Sequence, residues 1–188
     1  YTNAVYGFMT IILKVIELYE PEYVVAAFDT PGPNFRDDKF DSYKANRASP
    51  PDELIPQFDR VRQMVDALGI PSFALPGFEA DDILGRMAVQ GVDQGMDVLL
   101  MTSDRDAYQL IGEHVNVVTT NPRNGNPVIY DVEKVADRWG GLRPEQIVGL
   151  KALQGDASDN IPGVQGIGEK TAIVLLNEFG DLESIIAN

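Results

Sequence analysis

The sequence predicts an α/β fold with a mainly parallel central sheet flanked by helices, followed by a helical C-terminal section. Three observations carry that expectation. Apolar runs at residues 23–28 and 97–101 have the length and composition of buried strands. Segments of helical periodicity alternate with them. From about Asp131 onward the pattern is helical throughout.

Taken in order, residues 4–19 place Val5, Phe8, Met9, Ile12, Ile16 and Tyr19 at helical spacing, and Pro21 closes the segment. Tyr6 and Phe8 are expected in the core. The run 23–28 reads as a buried strand ending in Asp29. Residues 30–56 show no core pattern and carry four prolines before Pro56, which marks an excursion from the main body. Helical spacing resumes at 54–68 and stops at Gly69. A brief strand at 71–75 leads through Pro76 and Gly77 into a helix from about 79 to 94, with Ile83, Leu84, Met87 and Ala88 as its buried stripe. The strand 97–101 is followed by a short helix after Asp106. Strands at 115–119 and 128–130 flank a turn at Asn124 and Gly125. Trp139 is expected to pack in the helical section, and His114, the single histidine, to lie at a strand edge or on the surface.

Composition narrows the function. A length of 188 residues supports one substantial core with a small appended module. With 44% hydrophobic and 23% charged residues, the chain has the make-up of a globular protein. No run reaches the ~18 apolar residues of a membrane span, and no signal peptide is visible. Cysteine is absent, which excludes disulfides and thiolate metal sites and fits a cytoplasmic location. The chain opens at Tyr1 directly on a helix-like segment, so an upstream piece is expected to be missing.

The net charge of −14 would count against a nucleic-acid partner if the acids were evenly spread. They are not. Asp29 ends the first strand; Glu79, Asp81 and Asp82 open a helix; Asp104 and Asp106 follow the second strong strand; Asp156 and Asp159 lie in the run 155–160. Strand ends of parallel sheets are where ligands collect. Glu79 and Asp82 share a helix face, as Asp156 and Asp159 do if their segment is helical. Clustered carboxylates repel unless a cation relieves them. Oxygen-only donors favour Mg²⁺ or Mn²⁺ over zinc, and two such ions ~4 Å apart can drive phosphodiester hydrolysis. Any single cluster is also explained by helix-dipole complementation or by N-capping from Ser103 or Asp104. The four together point to metal.

The excursion holds a second signal. From Arg36 to Arg47 four basic and three acidic residues give +1 in an acidic chain. At helical spacing Arg36, Phe40, Tyr43, Lys44 and Arg47 share one side, offering charge to phosphates and rings to bases; a solvated surface helix is the plain alternative. A third lies in Gly163, Gly166 and Gly168, followed by Lys170 and Thr171 at a helix start, a spacing that suits backbone binding of a phosphate. A simple turn between helices is its plain alternative.

Together the runs Val25-Ala-Ala-Phe-Asp29, Tyr43-Lys-Ala-Asn-Arg47, Pro76-Gly-Phe-Glu-Ala-Asp-Asp82, Thr102-Ser-Asp-Arg-Asp106, Gly155-Asp-Ala-Ser-Asp-Asn160 and the glycine hairpin, preceded by Ala4-Val-Tyr-Gly-Phe8, resemble the 5′-nuclease domains of bacterial DNA polymerase I within the wider flap-endonuclease family. The resemblance covers nearly the whole chain. It implies a PIN-like nuclease core over residues 1–130, with an arch or gateway at about 30–56, and a helical section over 131–188 bearing a helix–hairpin–helix element. It implies structure-specific 5′-3′ exonuclease and flap-endonuclease action by two divalent cations. Asp29, Glu79, Asp81 and Asp104 then resemble ligands of the more catalytic ion, with Asp82 close by, and Asp106, Asp156 and Asp159 the second ion's region. Tyr43, Lys44 and Arg47 resemble the gateway that steers the scissile phosphate; Arg36 is a weaker candidate. The hairpin from Gly163 to Thr171 resembles the element that grips duplex DNA around a K⁺ ion. The partners implied are DNA with a 5′ flap or a 5′ end at a duplex junction and a linked polymerase domain, in a monomeric, nucleoid-associated bacterial protein. The family's first strand, which ends in a metal-binding aspartate, and its last helices are expected to lie outside the chain, so the activity is expected of the intact gene product and is expected to be impaired in these residues alone.

Three competing readings remain at this point: a non-catalytic DNA-binding module, a phosphatase with an aspartyl nucleophile at Asp104 or Asp106, and a metal-dependent ribonuclease.

Overall fold

The computed structural model describes residues 2–121 and 123–188. Two compact units emerge. One comprises Tyr1–Phe35, Ala48–Leu84 and Thr120–Val128, the other Arg36–Arg47, Gly85–Thr119 and Ile129–Asn188.

In the first unit, α1 (Asn3–Tyr19) packs on α3 (Ile55–Ala67). Val5, Ile12 and Val15 form one buried stripe on α1, and Val65 answers from α3. Thr2 provides no side-chain cap for α1. Gln57, 2% exposed, substitutes for one: its Oε1 accepts from the Ala4 amide at 2.8 Å while its Nε2 donates to the Glu53 carbonyl. The helix ends at Glu20 in the left-handed conformation, just before Pro21. Tyr6, expected in the core, is 73% exposed, because it sits about 100° around the helix from Val5.

The run expected as a buried strand at 23–28 is only β1 (Ala26–Ala27), paired in parallel with β2 (Ser72–Phe73) through Ala26↔Ser72 and Ala27↔Phe73. Tyr23 and Val25 are exposed. A two-stranded ladder covers too little surface to bury the flanking residues. The excursion contains α2 (Phe35–Lys39) followed by turns, with Lys44 at φ +53, so residues 36–47 are not one helix and its basic and aromatic side chains do not form one helical stripe.

The helix α4 (Ala80–Asp93) falls where periodicity places it. In the second unit its later turns lie against β3 (Val98–Met101): a Cβ on Gly91 would meet Val98 Cγ2 at 2.8 Å, so glycine sets that approach. β3 pairs in parallel with β4 (Val115–Thr120), and β5 (Pro127–Tyr130) is third in the sheet. Leu100, Val117 and Val118 are buried there. A 3₁₀ turn, Arg105–Leu110, follows β3.

The C-terminal part contains α5 (Val132–Arg138), α6 (Ile147–Gln154), α7 (Glu169–Phe179) and α8 (Leu182–Ala187). Val135, Leu142, Leu150 and Leu176 are almost fully buried. Trp139 is buried as expected and meets Tyr108 edge-on at 5.5 Å, while Tyr108 stacks on Tyr130 at 4.7 Å. This section is not wholly helical. Gly155, at φ +81, ends α6 and starts an antiparallel ladder of β6 (Gly155–Asp156) with β7 (Ile161–Pro162). Asp156 therefore lies at the end of β6 and Asp159 on the loop that follows it, not on a helix face.

Candidate metal centre

The acids of the first unit gather at the start of α4. Asp29, just beyond β1, accepts from the Ala80 amide through Oδ1 at 2.7 Å, satisfying an N–H that the helix leaves unpaired. Its carbonyl accepts from Arg62 at 2.7 Å, whose guanidinium lies 4.2 Å over the Phe28 ring. Asp82 accepts from the Glu79 amide at 2.9 Å, the reciprocal arm of a capping box. Glu79 in turn accepts from Asn34 at 2.9 Å. Asp81 occupies the first turn of α4. Asp29 and Asp82 are thus oriented by the start of α4 and Glu79 by Asn34.

The second unit brings three acids from distant positions into one cluster. Asp106 comes from the 3₁₀ turn, Asp156 from β6 and Asp159 from the loop after it, and one carboxylate oxygen from each lies within 4.8 Å of the other two. Asp104 caps the 3₁₀ turn, its Oδ1 accepting from the Asp106 amide at 2.9 Å. The Asp106 Oδ1 atom is shut off from water and has no aligned hydrogen bond. It forms an ion pair with Lys151 Nζ at 2.6 Å. A carboxylate oxygen shut off from water beside two more carboxylates suits a hard cation that takes the place of the Lys151 ammonium, so these residues fit Mg²⁺ or Mn²⁺.

Lys151, on α6, was not legible as a site residue. Its ammonium reaches Asp106 and also Asp156 Oδ2 at 2.5 Å. Asp156 Oδ1 accepts from the Ser158 amide and hydroxyl at 2.8 and 2.6 Å. Burial works against the Asp156 charge, but the bonds from Lys151 and Ser158 outweigh it and bring the carboxyl down to about 2. Burial likewise opposes the Lys151 charge, and its two carboxylate partners overcome that and push the ammonium up. The one sequence hint was a lysine five residues before Asp156 in an acidic chain; the Asp-x-Ser spacing hinted at the local turn.

The segment after α2 is held on this loop. Tyr43, 9% exposed, donates its hydroxyl to Asp159 Oδ2 at 3.1 Å, and Arg47 Nη2 pairs with Asp159 Oδ1 at 2.5 Å. The Lys44 amide donates to the Asp159 carbonyl at 2.9 Å. Lys44 Nζ lies 4.8 Å from the Tyr43 ring centre. Arg36 lies on α2, before these contacts in the chain.

The glycine hairpin divides in two. Gly163 serves the backbone: a Cβ there would meet Gln154 C at 2.3 Å and Gly155 N at 2.4 Å. Gly166 holds φ +85, and Gly168 is the N-cap of α7 with open space where a Cβ would stand. No side chain caps α7, so the amides of Glu169, Lys170 and Thr171 open the helix without a side-chain partner from the N-cap.

His114 is peripheral, as expected. It is hydrogen-bonded to Asp97 at 2.9 Å, across the starts of β3 and β4. That bond, with help from Glu113, holds the imidazole above its ordinary 6.5 despite slight desolvation. With a single histidine, the ring signal is unambiguous in an NMR titration. Its midpoint should lie above 6.5 and fall in Asp97→Asn. Because the folded value is the raised one, the contact stabilises fully below pH ~6.5 and its contribution is lost as pH rises through the folded midpoint.

The family model for the 5′-3′ exonuclease N-terminal resolvase-like domain matches residues 1–140, and that for the 5′-3′ exonuclease C-terminal SAM fold matches 142–188. DNA polymerase I of Chloroflexus aurantiacus is 46% identical over 98% of the chain and 20% of its own length. The chain thus spans about a fifth of the polymerases it matches. A 5′-3′ exonuclease of Bacillus subtilis is 39% identical over 100% of the chain and 62% of its own length. Among solved structures, the T5 5′-exonuclease with divalent zinc ions bound superposes with a TM-score of 0.79 at 25% identity, covering 100% of this chain and 71% of that one. The catalytic core of Rad2 with a DNA substrate matches at 0.62 and 20% identity, covering 96% of this chain and 54% of that one, a likeness of fold. Among the described residues, no helix is long and apolar enough to cross a membrane.

Proposed function

We propose a function from one premise: the chain belongs to the 5′-3′ exonuclease family. It hydrolyses DNA phosphodiester bonds at 5′ ends and 5′ flaps, as the nuclease part of a DNA polymerase I in replication and repair. The observation that carries this reading is the trio Asp106, Asp156 and Asp159, whose oxygens lie within 4.8 Å of one another. Asp29, Glu79, Asp81, Asp82 and Asp104 are the further proposed ligands. When bound, Mg²⁺ or Mn²⁺ supplies Lewis acidity to the phosphodiester and eases deprotonation of the attacking water.

The chain's own residues do the rest. Asp104 fixes the start of the 3₁₀ turn and so places Asp106. Ser158 and Lys151 hold the Asp156 carboxylate ionised and in one orientation. Lys44 and Arg47 serve as cationic partners for the substrate phosphate, with Tyr43 presenting a ring for a base and Arg36 in support. Downstream, the amides opening α7, the turn through Gly163, Gly166 and Gly168, Lys170 and Thr171 hold the duplex backbone without reading its sequence. Carbonyls of that hairpin are the proposed site for K⁺. A covalently attached polymerase, a monomeric state and a place on the bacterial nucleoid complete the reading.

The test is cleavage of a 5′-flap oligonucleotide by the intact protein that carries this chain together with the family's first strand. Strand scission should require Mg²⁺ or Mn²⁺, stop on chelation with EDTA and return when metal is restored. Duplex DNA without a 5′ junction should be cut far more slowly. Metal-independent cleavage, or none at any metal concentration, contradicts the proposal.

A further inference from the structure

Asp159 is the least exposed acid of the trio, at 8%, and both of its carboxylate oxygens are occupied, Oδ1 by Arg47 and Oδ2 by Tyr43. Further bonds tie the same two stretches together. The Lys44 amide reaches the Asp159 carbonyl, Asn46 the Ala157 carbonyl at 2.7 Å, Arg47 Nε the Ser158 carbonyl at 3.2 Å, and Asn160 the Ser42 carbonyl at 2.8 Å. Residues 42–47 are therefore fastened to the loop that carries Asp159 and directly follows Asp156.

The two side-chain cations at the cluster differ in kind. Lys151 bridges two carboxylates from a regular helix. Arg47 holds one carboxylate from a turn, and its side chain is half exposed. A divalent cation that takes an Asp159 oxygen brings two positive charges next to the guanidinium, which repels it and draws away the electron density it was bonded to. Of the two, Arg47 has the freedom to leave.

We propose that Arg47, with Tyr43, forms a latch on Asp159 that divalent-cation binding opens, so that metal occupancy and release of the basic segment are thermodynamically linked. Metal loading then frees the guanidinium for an anionic ligand such as a phosphodiester. The inference rests on the metal reading of the trio. Linkage makes it reciprocal: whatever factor the cation costs the Arg47–Asp159 contact, that contact costs the cation.

The experiment is calorimetric titration of the DNA-free chain with Mn²⁺, for wild type and for Arg47→Gln, Arg47→Lys and Asp106→Asn. Arg47→Gln is expected to bind Mn²⁺ about fivefold tighter or more, and Arg47→Lys to show a smaller gain in the same direction. In wild type, Mn²⁺ should speed hydrogen exchange at the Lys44 amide. Unchanged or weaker Mn²⁺ binding in both Arg47 variants overturns the latch. If Asp106→Asn weakens Mn²⁺ binding while both Arg47 variants match wild type, the latch alone has failed. If Asp106→Asn binds as wild type does, the metal reading of the trio falls, and the latch with it.

Discussion

Asp156→Asn should lower 5′-flap cleavage about a thousandfold, beyond the ~100-fold typical of losing an outer partner of a metal ligand, while leaving the fold intact. Asparagine keeps an oxygen that accepts from the Ser158 amide and hydroxyl, so the turn geometry survives. What it loses is the charge and the acceptor for Lys151, because the amide nitrogen then stands where Oδ2 took the ammonium. The carboxyl of Asp156 is held down to about 2 by Lys151 and Ser158 against its burial, so it is fully ionised at neutral pH. Removing that charge leaves Lys151 shared with Asp106 alone and deletes one of three anionic donors. Mn²⁺ affinity should fall in parallel with the rate, and raising the metal concentration should recover part of the activity. A variant that melts early with unchanged metal affinity would mean Asp156 acts only as a partner for Lys151. Near-normal cleavage would remove Asp156 from the machinery altogether.

How far the sequence could be read depended on whether a feature was local. Periodicity placed α1, α3 and α4 because a buried stripe such as Val5, Ile12 and Val15 repeats with the helix. Parallel pairing of β1 with β2 and of β3 with β4 followed from alternation of strands and helices. Acid clusters were visible as clusters, and the structure brings carboxylate oxygens of Asp106, Asp156 and Asp159 within 4.8 Å of one another. Other features had no local signature. Gln57 as a cap for α1 depends on a residue more than fifty positions away. Lys151 looks like any helical lysine until Asp106 and Asp156 are placed on either side of it. The ladder at 155–162 was misread as helix because four residues of strand are too few to show a period, although Gly155 at φ +81 is the physical reason the helix could not continue. Arg36 to Arg47 could be read as a basic segment, yet not as one whose arginine already holds an acid of the cluster.

Gly163→Ala and Gly7→Ala, the same chemical change, should move stability in opposite directions. Gly7 lies inside α1 with nothing within 4 Å of a Cβ built on it, so alanine should stabilise by roughly 0.5–1 kcal/mol through lower backbone entropy of the unfolded chain. A Cβ at Gly163 would stand 2.3 Å from Gln154 C, 2.4 Å from Gly155 N and 2.5 Å from Gln154 O. All three are backbone atoms, so no side-chain rotation relieves the clash. The reverse holds at Gly155, where a Cβ would meet Gly163 N at 2.4 Å on a backbone already at φ +81. Glycine at both positions lets the end of α6 and the strand β7 run in contact, and the neighbouring Val164 amide seals the approach by donating to the Leu153 carbonyl at 2.8 Å. Forcing these two segments apart should cost roughly 3 kcal/mol, a fall in melting temperature on the order of 10 °C for a chain of this size. Strand β6 carries Asp156 and the loop after it Asp159, so Mn²⁺ affinity should drop along with stability. Differential scanning calorimetry with and without Mn²⁺ reads both: the metal-induced rise in melting temperature should survive in Gly7→Ala and shrink in Gly163→Ala. An undiminished rise in Gly163→Ala would show that the acids keep their geometry without the close approach of β7 to α6.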